Sequence, residues 1–133
     1  LTLDAFHECK KSIKDSTIIV LGISYKPNVK DIQLTPAEII IKKLQELDAN
    51  VLIYDPYFKS TSVFGIKSEE NLENVFSNVD AAIIVTGHDE FKEIELSKFH
   101  EMNDKILIDT RGIVDPISAK KANIVFRGLG RGY

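Results

Sequence analysis

The sequence predicts an α/β domain: a doubly wound sheet of about five mainly parallel strands with helices on both faces. Three observations carry that prediction. Short runs of continuously apolar, β-branched residues recur along the chain, as expected of strands covered on both faces of a parallel sheet. Stretches with helical spacing fall between them, and the connections are short. A chain of 133 residues, 44% apolar and 28% charged, is one domain's worth of sequence and can bury a core without disulfides or a structural metal.

Taken in order, Leu3, Phe6, Cys9 and Ile13 stand at near-helical spacing, so the chain enters through an amphipathic helix. Strands are expected over 17–22 (TIIVLG), 51–54 (VLIY), 81–85 (AAIIV), 105–108 (KILI) and 123–126 (NIVF). The clearest helix begins at Thr35, where T-P-A-E offers a capping threonine, a proline at the first helical position and Glu38 three residues after the cap. Ala37, Ile40, Ile41, Leu44 and Leu47 form its inward stripe, leaving Lys42, Lys43 and Glu46 to water. A second helix is expected after Ser68, with Leu72, Val75 and Phe76 inward, and a third over about 94–99. No internal repeat or low-complexity tract interrupts the alternation, which is Rossmann-like.

Composition narrows the function classes. A net charge of -3 with interspersed signs removes the broad basic field that non-specific nucleic-acid binding requires. No apolar run approaches the roughly 18 residues of a membrane span, and the first fifteen residues lack the apolar core of a signal peptide. The single cysteine, Cys9, has no intrachain partner, which excludes a disulfide or zinc cluster and makes a reducing compartment, the cytoplasm, the expected setting. Leu1 in place of methionine reads as a processed product or an excised piece of a longer protein.

Ligands of open α/β sheets bind beyond the carboxyl ends of the strands. Those ends carry I-S-Y-K-P, D-P-Y, T-G-H-D, D-T-R-G and R-G-L-G-R-G-Y, which bring Lys26, Asp55, His88, Arg111 and Arg127 toward one edge. Lys26 and Arg111 each follow a strand in an acidic protein. An arginine fork with a lysine point charge suits a diphosphate; the alternative is a pair of solvated loop charges. Asp55 precedes Pro56 and reads as a turn former. Asp109 either orients Arg111 or caps a strand end, and His88 with Asp89 reads as a helix cap before an acid/base pair. Cys9 reads as a packed thiol, so no residue is assigned a catalytic role and none a metal.

A self-contained dinucleotide site needs G-x-G-x-x-G after the first strand, and G-I-S-Y-K-P supplies only Gly22. The later G-L-G-R-G-Y has Tyr133 where a third glycine would stand. A receiver domain is excluded too, because Ser24 and Tyr25 follow the first strand, Thr86 and Gly87 the third and Arg127 the fifth, where that fold needs acids, an aspartate and a lysine.

Four ordered motifs, L-G-I-S-Y-K-P-N-V-K-D with T-P-A, V-L-I-Y-D-P-Y, D-A-A-I-I-V-T-G-H-D-E-F and I-L-I-D-T-R-G, resemble the carboxyl-terminal domain of the UDP-glucose/GDP-mannose dehydrogenases. The resemblance implies that residues 1–16 end a linker helix from a missing central domain and that 17–133 form the nucleotide-sugar (UDP) binding domain. It implies oxidation of a sugar C6 alcohol to a carboxylate with NAD, held mainly by another domain, in a full-length enzyme that is a homodimer. The substrate is then UDP-glucose or a UDP-N-acetylhexosamine, with loose likeness of the G-L-G-R-G tail favouring the latter. By position, Lys26 and Arg111 correspond to the family's substrate-binding lysine and arginine, with Tyr25 adjoining. Gln33 stands where the pattern D-x-R-x-S-P has an arginine that reaches the NAD site, so the cofactor contact loses its charge. The family's catalytic cysteine has no counterpart in H-E-C-K-K-S, and the domain alone is expected to be inert. The alternative is a non-catalytic nucleotide-binding or interaction module of the same fold.

Overall fold

The computed structural model describes residues 13–24, 26–28, 35–73 and 75–128. Within them the chain runs β1 (Thr17–Leu21), α1 (Pro36–Glu46), β2 (Asn50–Tyr54), a short hairpin of β3 (Ser62–Val63) and β4 (Ile66–Lys67), and a 3-10 turn (Phe76–Asn78). It continues through β5 (Ala81–Ile84), α2 (Asp89–Lys92), α3 (Leu96–Phe99), β6 (Ile106–Asp109), α4 (Pro116–Lys121) and β7 (Val125–Gly128). Five strands form one sheet in the order β2-β1-β5-β6-β7, parallel at every junction. The hairpin is a separate antiparallel pair.

Successive strand residues point to opposite faces, and this alternation divides the core in two. Ile18 and Val20 of β1 join Ala37, Ile41 and Leu44 of α1 on one face. Ile19 and Leu21 join Phe76, Phe91, Phe99 and Ala119 on the other. Burying one such side chain contributes roughly 1.5–3 kcal/mol, so strands this short are stable because both faces are covered. The doubly wound, five-stranded architecture is the one expected from the sequence.

Local chemistry explains the agreements and the differences. Thr35 accepts a hydrogen bond from Ala37 N at 3.3 Å and Pro36 opens α1. The helix stops at Glu46, so Leu47 lies outside the stripe and is 43% exposed, while Ile40 is only partly buried. Among the described residues between Ser68 and β5 there is no α-helix: Asn71 Oδ1 takes the N–H of Glu73 at 2.8 Å, a local turn that competes with helix, and a 3-10 turn forms instead. The helix expected over about 94–99 is a single turn, α3, and a separate single turn, α2, precedes it; each buries one phenylalanine. Lys105 and Asn123 adopt left-handed backbone (φ 53° and 59°), which delays β6 to Ile106 and β7 to Val125. The entry helix lies outside the described residues except for Ile13, which is buried in the first core. Among the described residues no helix is long and apolar enough to cross a membrane.

Candidate functional site

The chain leaves β1 for β2 on one side and later passes to β5 on the other, so loops diverge from the carboxyl ends of β1 and β5. A crevice at this reversal is where doubly wound sheets hold ligands. Gly22 makes the close approach of the two ends possible: its φ is +93°, and a Cβ there would stand 2.6 Å from the Thr86 Cβ. The Thr86 hydroxyl then donates to Ser24 O at 2.6 Å.

Beyond Gly22 the loop is fastened to the fully buried Asp55. Ile23 N, Ser24 N and Ser24 Oγ donate to its Oδ2 at 2.8, 3.0 and 2.8 Å, and Tyr57 N to its Oδ1 at 2.9 Å. His88, equally buried, places Nε2 2.8 Å from the same Oδ2 and accepts the Asn28 N–H on Nδ1 at 2.7 Å. Those partners assign the proton of the neutral ring to Nε2. Burial alone would push the Asp55 carboxyl up, but the hydrogen bonds from His88, Tyr57 N, Ile23 N and Ser24 outweigh it and hold the group below the usual carboxylate range. Next to it, burial and then the Tyr54 hydroxyl's 2.5 Å bond to Glu90 push that phenol well above its ordinary value.

Asp109 organises the loop after β6. Its Oδ1 accepts Arg111 N and Gly112 N, each at 2.9 Å, and its Oδ2 accepts Val114 N at 2.8 Å. Arg111 Nε donates to Val85 O at 2.7 Å, fixing the guanidinium against the end of β5. Gly87 leaves room for this loop, since a Cβ there would sit 3.1 Å from Ile113 Cγ2 and 3.7 Å from Arg111 Cβ.

Lys26, Pro27, Pro36, Thr86 and Arg111 line one hollow of about 280 Å³. Pro36 opens α1, so the positive end of that helix dipole borders the same space. Both cations are exposed, and among the described residues neither has a carboxylate partner. A second hollow, about 260 Å³ over Leu72, Phe76 and Ile94, is rimmed by four glutamates, Glu73, Glu90, Glu93 and Glu95, and one cation, Lys98, a less favourable setting for an anion. Among the described residues no cluster of His, Cys, Asp and Glu could hold a metal ion.

Of the five strand-end residues, the structure brings Lys26 and Arg111 to one hollow and Asp55 and His88 into direct contact. Asp55 does form the turn expected before Pro56, through Tyr57 N, but most of its bonds go to the β1 loop. His88 pairs with Asp55 rather than with Asp89, which is exposed beside Lys92, and its side chain caps nothing. Arg127 does not reach the crevice: β7 starts two residues later than expected, so Arg127 lies within the strand, its Nη1 on Phe126 O. Tyr25 and Gln33 lie outside the described residues, as do Cys9 and the G-R-G-Y tail. Asp109 caps the end of its strand, one of the two roles expected of it, by accepting the main-chain N–H groups of the Arg111 loop; sequence reasoning missed Thr86, for which the polar residues ending each apolar strand were the available signal.

Fold and crevice together define the class: a Rossmann-like domain with a cation-lined cleft at its topological switch point. The chain belongs to the UDP-glucose/GDP-mannose dehydrogenase family, whose UDP binding domain matches residues 19–116. It is 33% identical over 125 residues to the UDP-glucose 6-dehydrogenase TuaD of Bacillus subtilis, covering 90% of this chain and 27% of that protein. It is 32% identical to the UDP-N-acetyl-D-mannosamine dehydrogenase of Pyrococcus horikoshii, whose structure superposes with a TM-score of 0.83 over 99% of this chain and 29% of that one. A solved NDP-N-acetyl-D-galactosaminuronic acid dehydrogenase from Methanosarcina mazei superposes with a TM-score of 0.88 at 25% identity, over 98% of this chain and 28% of that one. The chain thus spans under a third of the length of these relatives.

Proposed function

We propose that the chain is the UDP-sugar-binding part of an NAD-dependent nucleotide-sugar 6-dehydrogenase, and that Lys26 and Arg111 grip the pyrophosphate of the UDP-sugar. The observation that carries this reading is the shared hollow of the two cations at the switch point, in a chain that matches the family's UDP binding domain. Its volume is at the lower end for small-molecule sites, room for a diphosphate with the remainder of the ligand extending beyond. Arg111, with Nε engaged by Val85, offers its terminal nitrogens in a fixed plane, Lys26 supplies a point charge, and the start of α1 adds its dipole. Tyr25 adjoins the ligand.

The relatives' names favour UDP-glucose or a UDP-N-acetylhexosamine as substrate, oxidised at C6 to the carboxylate. NAD does not fit this domain's own first turn: Gly22 is used for the approach of Thr86, and the following residues carry side chains where a pyrophosphate would need bare backbone. The cofactor belongs to another part of the assembled homodimer, with Gln33 as this chain's uncharged contribution toward it. That same glutamine favours the second reading, a binding module without catalysis, which UDP-sugar-dependent NAD reduction by the assembled protein would refute.

Isothermal titration of the chain with UDP, GDP and NAD tests the assignment. UDP should bind, and Lys26→Ala or Arg111→Ala should each cost about 1.5–3 kcal/mol, roughly 10- to 150-fold in Kd. No UDP binding at millimolar ligand, or unchanged affinity in both variants, overturns it.

A further inference from the structure

The main chain around Lys26 is anchored on both sides, and both anchors lead to one buried pair. On one side Ser24 gives its N–H and its hydroxyl to Asp55 Oδ2. On the other, Asn28 N donates to His88 Nδ1 at 2.7 Å while Asn28 Oδ1 accepts from Asp89 N at 3.0 Å. His88 Nε2, 2.8 Å from Asp55, closes the circuit, so Lys26 stands two residues from either anchor. Both members of the pair are 0% exposed. Burying such groups is costly, and apolar residues of similar volume often serve stability as well. What the pair does that apolar residues could not is accept hydrogen bonds from the chain on both sides of Lys26.

We propose that Asp55 and His88 are positioning residues for ligand binding, holding the chain on both sides of Lys26 so that its ammonium stays at the hollow shared with Arg111. This rests on the assignment of Lys26 to the pyrophosphate. Histidine meets the need because it carries a donor and an acceptor on opposite flanks of one rigid ring. Tyr57 and Phe91, with ring centroids 5.2 and 5.6 Å from that of His88, hold the ring in place.

The two ring nitrogens can be tested separately. Asparagine places an acceptor near the Nδ1 position, whereas glutamine reaches the Nε2 position and leaves Asn28 N without an acceptor. We expect His88→Asn to bind UDP within about 3-fold of wild type and His88→Gln to bind about 5- to 50-fold more weakly, with faster hydrogen exchange of the Asn28 amide. Equal affinity of His88→Gln and wild type, alongside weakened Lys26→Ala, overturns the positioning role and leaves the pyrophosphate assignment standing. Unchanged binding in Lys26→Ala overturns that assignment and this inference with it. Should His88→Gln fail to fold, Ser24→Ala serves instead: it removes the hydroxyl's bond to Asp55 Oδ2, one of the ties between the pair and the chain before Lys26, and leaves the main-chain bonds in place. It should weaken UDP binding about 3-fold or more, and no loss overturns the proposal.

Discussion

Asp55 takes five hydrogen bonds while wholly buried, and its acid strength is therefore a stability term. Its folded-state pKa is lowered, so the stabilisation is complete above the ordinary carboxylate value near 4 and is lost as pH falls through the folded value. Asp55→Asn should lower unfolding free energy by about 1–3 kcal/mol at neutral pH and by less at a pH below the folded value, where wild type is protonated too. Denaturant melts at the two pH values check this; an equal gap at both would contradict it. That Lys26 and Arg111 share a hollow was legible in the sequence because a residue in the turn just after a strand lies at the carboxyl edge of the sheet, whereas Arg127 fell inside its strand once the strand's bounds shifted. The Asp55–His88 contact was not. The two are 33 positions apart, and each had a sufficient local explanation in Pro56 and in the start of α2.

Among the elements, α1 shows how much a start signal conveys. Thr35, Pro36 and Glu38 mark its first turn, and Thr35→Ala should lower stability by about 0.5–2 kcal/mol, with Thr35→Ser restoring most of it in thermal melts. Asp115 and Pro116 start α4 by the same device, with Asp115 accepting from Ile117 N, and a reading that weighted caps over helix length would have found it. The hairpin was harder to see. Its turn residues Phe64 and Gly65 both have positive φ, as a two-residue hairpin turn needs, but phenylalanine is not a residue that announces such a turn. Apolar spacing after Ser68 misled because Leu72, Val75 and Phe76 do face inward, from a turn rather than from a helix. Strand ends shifted where Lys105 and Asn123 take left-handed backbone, a feature that apolar periodicity does not encode.

For the whole molecule, the order of strands was legible only as a class, since alternation implies a doubly wound sheet without saying where it reverses. The observed reversal lies between β1 and β5. The relatives are more than three times as long, and on the function proposed above binding and oxidation are separable: the 133-residue chain mixed with UDP-glucose and NAD should form no NADH, while still binding UDP. NADH absorbance in such a mixture would contradict the division of labour. The same strand order bears on how the protein is made. Of the five strands of this sheet β1 is synthesised first, yet it lies between two partners that come later, Ile18 pairing with Val51 and with Ala81. A nascent chain that has not reached residue 84 holds TIIVL with an open edge, and its closure over so long a separation is slow. Ribosomal pausing between β1 and β5 leaves a β-branched segment free to associate with other chains, which makes that interval the stage at which this domain is most exposed to misassociation.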